Sequence, residues 1–314
     1  MRIWIHIGLR KTGTTALQGW LLQNSEMLRA QGVAFLQSRP NSGPLARALL
    51  KGSPETGKLV EPVLKHIAAV PDTTDGILSS EDFSDLSPEQ MQPLIDALAG
   101  HDIRILVTLR RQDRLAEALY KQNVKWNGGA HDVQKFLNSD SIRALDYERM
   151  LDRWAALPST RLHPMLYREA TETAPPDSIG ALLHEIGRAE LIPADAPTFR
   201  QNISPAAALV KHYQTIARTD GQALRRANRR LMAEMGEAAS GRSDLFPAET
   251  LKQLRERFAE SNAAVCAKWF GRQDSLFPDN DLQQSGASRS DLEQRFDSYF
   301  VAERAKLAHK KVDP

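Results

Sequence analysis

Eight residues near the start of the chain, Gly8-Leu9-Arg10-Lys11-Thr12-Gly13-Thr14-Thr15, bring together two glycines, two cations and three hydroxyls. Glycines five residues apart let a loop curl until successive backbone N–H groups converge. Thr14 and Thr15 add hydroxyl donors, and Lys11 adds a mobile positive charge. The loop follows an apolar run, RIWIHIG from Arg2 to Gly8, and precedes apolar residues at helical spacing. At such a junction free N–H groups and the helix dipole face an anion together. These residues describe a phosphate cradle. In a nucleotide triphosphatase loop the lysine follows the second glycine, in the order G-x-x-x-x-G-K-[ST]. Here Thr14 holds that place, and Lys11 comes two residues before Gly13. Thr15 could supply the hydroxyl that holds magnesium in that motif. The displaced lysine nevertheless argues against an ATP-dependent kinase and for a donor site that requires no metal.

Other residues suited to chemistry stand at ends of apolar runs. Glu81 follows Ser79-Ser80, where active sites of open sheets gather; it reads equally as a general base or as a cap or surface carboxylate. Asp82 and Glu169 are the alternatives. Arg110 and Arg111 close the strongest apolar run, and they read either as anion ligands or as solvated charges ending a strand. Tyr120 reads equally as packing or binding. His6 alternates with Ile5 and Ile7 and is expected to face the opposite side as a core histidine. Arg225, Arg226, Arg229 and Arg230 suggest a solvated helix face, or a contact for an anionic acceptor such as an acidic glycan. The single cysteine, Cys266, excludes an intrachain disulfide and a cysteine-based zinc site. It is expected to be a packed core thiol.

These residues need a scaffold. Short apolar runs at 2–8, 33–36, 76–80 and 103–109 read as strands, and a later strand over about 161–167 is expected to extend their sheet. Leu17, Trp20, Leu21, Met27 and Leu28 recur at helical spacing, with Thr14 or Thr15 as the expected N-cap. Further helices are expected over 44–51, 56–69, 88–99, 112–126, 205–235 and 248–270, and a final amphipathic one carries Leu292, Phe296, Phe300 and Leu307. Buried strands alternating with helices predict an α/β fold with a parallel central sheet flanked by helices, and a helical C-terminal part. The expected organisation is a core over 1–200, a helical extension over 201–273, and a polar linker with the last helix over 274–314. That last helix is expected to pack or to support a homo-oligomer rather than anchor in a membrane.

A net charge of +2 argues against nucleic acid as a bulk partner, so anions must be recognised locally. The start MRIWIHIGLRKTG lacks the long apolar run of a signal peptide, and no stretch approaches the ~20 apolar residues of a membrane span. A cytoplasmic location is expected.

On two motifs the chain resembles bacterial sulfotransferases that use 3′-phosphoadenosine 5′-phosphosulfate (PAPS). The first is Ile5-His6-Ile7-Gly8, then Lys11-Thr12-Gly13-Thr14-Thr15, then Leu17-Gln18; the second is Leu109-Arg110-Arg111-Gln112-Asp113 with Tyr120 ten residues after Arg110. The likeness is strong over 3–24 and 104–125, looser at Tyr167-Arg168-Glu169 and Asn202-Ile203-Ser204, and weak elsewhere. It implies the P-loop-like sulfotransferase fold, PAPS as co-substrate, 3′-phosphoadenosine 5′-phosphate (PAP) as product, and no metal. It implies donor contacts from Arg10, Lys11, Thr12, Gly13, Thr14 and Thr15, with Arg110 on the 3′-phosphate. Lys11 is the catalytic residue expected at the departing oxygen, and Glu81 the expected base. Ala118 stands where the family usually places a serine for the 3′-phosphate, a loss of about 1.5–3 kcal/mol. The implied acceptor is a hydroxyl or amine, with carbohydrate expected first. An ATP-using kinase and a non-catalytic nucleotide- or glycan-binding homologue are the alternatives.

Overall fold

A computed structural model describes residues 1–127, 132–168, 177–192, 206–236, 245–277 and 289–309. Their elements run β1 (Arg2–His6), α1 (Thr14–Gln23), α2 (Ser25–Ala30), β2 (Val33–Phe35), α3 (Gly43–Leu50), α4 (Thr56–Ala68) and β3 (Asp75–Ser79). A 3₁₀ turn at Glu81–Asp85 follows, then α5 (Pro88–Ala97), β4 (Asp102–Leu109), α6 (Gln112–Asn127), α7 (Val133–Leu137), α8 (Asp140–Arg143), α9 (Tyr147–Ala155) and β5 (Thr160–Leu166). The remainder is helical: α10 (Ser178–Glu185), α11 (Ala207–Tyr213), α12 (Gly221–Met235), α13 (Ala248–Arg257), α14 (Ala259–Phe270) and α15 (Arg289–His309).

The five strands form one parallel sheet in the order β2-β3-β1-β4-β5. The expected α/β class with a parallel sheet and a helical C-terminal part is what the chain adopts. Alternation divides the strands between two faces. On one face, Trp4, Ile77, Leu106 and Met165 pack with Leu17, Trp20 and Leu21 of α1, Leu28 of α2, and Leu182 and Leu183 of α10. On the other, Ile3, Ile5, Ile7, Leu78, Ile105, Val107 and Leu109 are all fully buried. Both faces are therefore covered, which explains the near-continuous apolar strands.

The chain divides into two compact units that alternate along the sequence. The first comprises Met1–Arg111, Asp146–Gln201 and Glu260–Pro278, and the second Gln112–Leu145, Asn202–Ala259 and Asp279–Pro314. The segments expected from sequence were contiguous.

Three expected helices are broken. The first stops at Asn24, whose side chain donates to the Trp20 carbonyl at 2.9 Å, and restarts as α2. The stretch 205–235 is interrupted after Tyr213, where the Thr215 hydroxyl takes the His212 carbonyl at 2.7 Å. The stretch 248–270 breaks at Phe258 because its halves have different partners. In the second unit, Arg255 of α13 pairs with the buried Asp113 at 3.0 Å. In the first unit, Ser261 of α14 donates to Asp146 at 2.8 Å, and Lys268 meets Asp152 at 2.7 Å.

At the N-terminal end of the strands Asp75 is fully buried. It accepts from Arg2 at 2.7 Å, Trp4 Nε1 at 2.9 Å, Thr74 at 3.0 Å and Arg188 at 3.1 Å. Burial alone would raise its pKa, but the hydrogen bonds from Trp4, Arg2 and Thr74 overcome this and hold it below the usual value. This carboxylate fastens β3 to β1 and serves the fold. Cys266 is buried, as expected. Among the described residues no helix is long and apolar enough to cross a membrane.

Candidate functional site

The connection leaving β1 runs toward β2 at one edge of the sheet, while β4 connects to β5 at the other edge. At such a divergence the carboxyl ends of adjacent strands leave a crevice free of crossing helices. The Gly8–Thr15 loop leaves β1 at this place, Arg110 leaves β4, and Glu81 follows the neighbouring β3.

Three loop residues have left-handed backbones: Gly8 at φ 58°, Lys11 at φ 69° and Gly13 at φ 79°. Gly8 is favoured twice, by its left-handed backbone and because a Cβ there would lie 2.8 Å from Thr14 Cγ2. At Gly13 a Cβ would come within 3.0 Å of Ser178 Oγ. Lys11 has no such exemption, and a left-handed backbone costs a residue with a Cβ about 1–2 kcal/mol. Strain of this kind gathers at functional sites.

Gly13, rather than Thr14 or Thr15, is the N-cap of α1. Its carbonyl accepts from the Ala16 and Leu17 N–H groups at 3.1 and 3.2 Å, and from Ser178 Oγ at 3.3 Å. The helix start carries no side-chain cap and no acidic residue in its first turn. The N–H groups of Gly13, Thr14 and Thr15 are the ones that an α-helix leaves without an intrahelical acceptor. A turn serving structure alone would ordinarily satisfy them with a capping side chain.

The side chains divide their work. The Thr12 hydroxyl is buried and donates to the Leu9 carbonyl at 2.6 Å, closing the loop on itself. Thr14 is buried and Thr15 is exposed. Arg10 donates to Asp82 Oδ1 and Asp85 Oδ2, both at 2.8 Å. Its burial favours proton loss, but the hydrogen bond to Asp85 and the carboxylates of Asp85, Asp82 and Glu81 outweigh this and raise its pKa. Of the six loop residues expected at an anion, Thr12 and Arg10 therefore spend their side chains within the protein.

Arg110 crosses from β4 to the loop: Nη1 donates to the Lys11 carbonyl at 2.7 Å, and the guanidinium carbon lies 4.8 Å from the Tyr167 ring centre. Its own peptide is held by Tyr147, whose hydroxyl donates to the Arg110 carbonyl at 2.5 Å and accepts from its N–H at 3.3 Å. Burial pushes the Tyr147 phenol well above its ordinary pKa, so it remains a donor. Arg111 is buried. Ala118 and Tyr120 belong to the second unit; there the buried Tyr120 packs on Phe136 and Phe246 and accepts from Gln214 at 2.6 Å.

Glu81 is held from two sides. Its Oε2 accepts from Gln18 Nε2 at 3.0 Å and Asn41 Nδ2 at 3.1 Å. Gln18 also donates to Ser79 Oγ at 3.1 Å, and Ser79 lies 2.9 Å from His6 Nδ1. A line of hydrogen bonds thus runs from the core of β1 to the Glu81 carboxylate. Glu169 and Asn202-Ile203-Ser204 lie outside the described residues.

The chain matches no protein-family model, no curated protein and no solved structure. The case for any function therefore rests on the residues themselves.

Gln18, Asn41, Tyr147, Tyr167 and Ser178 join the site without a role that the sequence alone assigns them. One signal was available for Ser178: Asp177-Ser178 after two prolines is a helix start, and Asp177 does cap α10 by accepting from the Gly180 N–H at 2.6 Å.

His6 is almost fully buried, as expected of a core histidine, and desolvation lowers its pKa from 6.5 to about 4. Between these values the unfolded chain binds a proton that the folded chain does not, so stability rises with pH. The contribution is complete above pH 6.5 and is lost as pH falls toward 4. Urea unfolding at pH 7 and pH 4.5 is expected to show about 2 kcal/mol less pH-dependent loss in His6→Asn than in wild type. Equal losses in the two proteins would mean that this imidazole titrates normally.

Proposed function

We propose that the protein is a PAPS-dependent sulfotransferase acting on a hydroxyl or amine acceptor, with a carbohydrate hydroxyl the first candidate. The observation that carries this reading is the Arg110 guanidinium set on the Lys11 carbonyl. It puts a fixed cation beside an uncapped helix start, and a donor phosphorylated at both ends of its ribose calls for both. The N–H groups of Gly13, Thr14 and Thr15 would hold the 5′-phosphate, and Arg110 the 3′-phosphate. The acceptor oxygen attacks sulfur as the bond from sulfur to the bridging phosphate oxygen breaks. Its proton passes to the Glu81 carboxylate, and PAP departs with both electrons of the broken bond. Lys11 would meet the charge growing on that bridging oxygen, where a fixed cation is most effective. Positioning supplies much of the remainder, as in phosphoryl transfer.

PAP at about 100 times its Kd is expected to stabilise the folded protein in EDTA by about 2.7 kcal/mol, raising Tm by several degrees, while ATP with magnesium leaves it unchanged. A shift with ATP and magnesium alone would favour the kinase. A PAP shift with no transfer from labelled PAPS across a panel of hydroxyl and amine acceptors would favour the non-catalytic homologue.

A further inference from the structure

The four arginines of α12 do not form one face. Arg226 approaches Glu303 at 3.8 Å, and Arg230 stacks 4.4 Å from the Tyr299 ring centre, both toward α15. Arg218, Gln222, Arg225 and Arg229 instead recur at helical spacing along another side. Arg218, Gln222 and Arg229 are exposed and Arg225 is half-buried.

Arg218, Gln222 and Arg225 border a cavity of about 590 Å³ whose other wall is the end of α6, with Trp126 and Asn127. Gly221 makes this junction tight, because a Cβ there would lie 2.9 Å from the Trp126 carbonyl. Arg225 donates to that same carbonyl at 2.5 Å, and its guanidinium carbon lies 5.2 Å from the Trp126 ring centre. The indole is nevertheless 52% exposed.

Among the described residues no carboxylate pairs with Arg218, Arg225, Arg229 or the nearby Lys125. Lys125 registers the crowding: burial, then the charge of Arg229, lowers its pKa. Uncompensated cations around a cavity call for an anionic ligand. The volume suits a small molecule or a short oligomer. An exposed indole offers an apolar surface to a sugar ring, and Asn127, Thr219 and Gln222 offer partners for its hydroxyls.

We propose that the groove between the end of α6 and the start of α12 binds an acidic oligosaccharide, its sulfate or carboxylate groups on Arg218 and Arg225 and a ring against Trp126. The proposal does not rest on the sulfotransferase reading, since no nucleotide enters it.

Calorimetric titration of the full chain, without nucleotide, tests it with a heparin-derived tetrasaccharide, neutral maltotetraose and tetrathymidylate. The heparin fragment is expected to bind at least tenfold tighter than either control and to weaken from 50 to 300 mM salt. Arg225→Gln and Trp126→Ala are each expected to weaken it at least fivefold. Arg225 also anchors α6, so Arg218→Gln provides the cleaner variant: among the described residues its exposed side chain makes no hydrogen bond or ion pair, and a tenfold loss is expected with Tm unchanged. No binding of the heparin fragment, equal binding of maltotetraose, or unchanged affinity in Arg218→Gln overturns the proposal. Tighter binding of tetrathymidylate also overturns it and makes the groove a nucleic-acid site. Each failure leaves the PAP experiment standing, and the reverse holds as well.

Discussion

Lys11→Ala is expected to lower the turnover of sulfuryl transfer by about 10²–10³-fold, the usual cost of removing one preorganised donor from a developing charge. Affinity for PAP is expected to change far less, because the helix-start N–H groups and Arg110 remain. A companion variant separates chemistry from folding. Lys11 holds φ 69°, a conformation that glycine adopts freely. Lys11→Gly removes the same ammonium group but relieves the backbone, so it is expected to be more stable than Lys11→Ala by about 1 kcal/mol and equally inactive. Denaturant midpoints and single-turnover rates measure the two effects separately. Wild-type turnover in either variant would remove Lys11 from the mechanism.

Glu81→Gln is the second large effect. The carboxylate oxygen accepts from Gln18 and Asn41, and a glutamine carbonyl can accept from the same two donors. The substitution thus preserves shape and partners while abolishing a proton acceptor. Turnover is expected to fall about 10²–10⁴-fold, the range of general base catalysis, with donor affinity within about threefold of wild type. Transfer at the wild-type rate would place the base elsewhere. Failure of PAP to bind would instead mark Glu81 as part of the frame that supports Gly8, against which it lies.

Four strands of the sheet were legible because they are largely buried and read as apolar runs between turns, whereas β5 buries only Met165 and carries Arg161, His163 and Pro164. The loop was legible because glycine spacing and lysine placement are properties of a short local segment. The helix breaks were not, since each depends on a distant or local partner that periodicity does not contain: Asn24 on the Trp20 carbonyl, or Ser261 on Asp146. α7 and α8, of five and four residues, are too short to display a 3.6-residue repeat. α9 did display one, with Tyr147, Leu151 and Trp154 buried on one side and Asp146 as its cap. The resemblance implies donor contacts from Arg10 and Thr12, but a motif cannot reveal that Asp82, Asp85 and the Leu9 carbonyl already hold them. The supports of Glu81 were equally hidden, because Gln18 and Asn41 meet only after α1 and the segment before α3 converge on the end of β3.

The alternation of the two units along the chain bears on how the protein is made. The first unit draws its last piece from Glu260–Pro278, after most of the second has been synthesised. A growing chain therefore carries the five-stranded sheet without α14, and the Asp146 and Asp152 side chains wait for Ser261 and Lys268. Domains that are continuous in sequence can finish folding one after another during translation. Here the strands emerge first, and the helix that completes their unit follows only after residues 202–259 of the other unit.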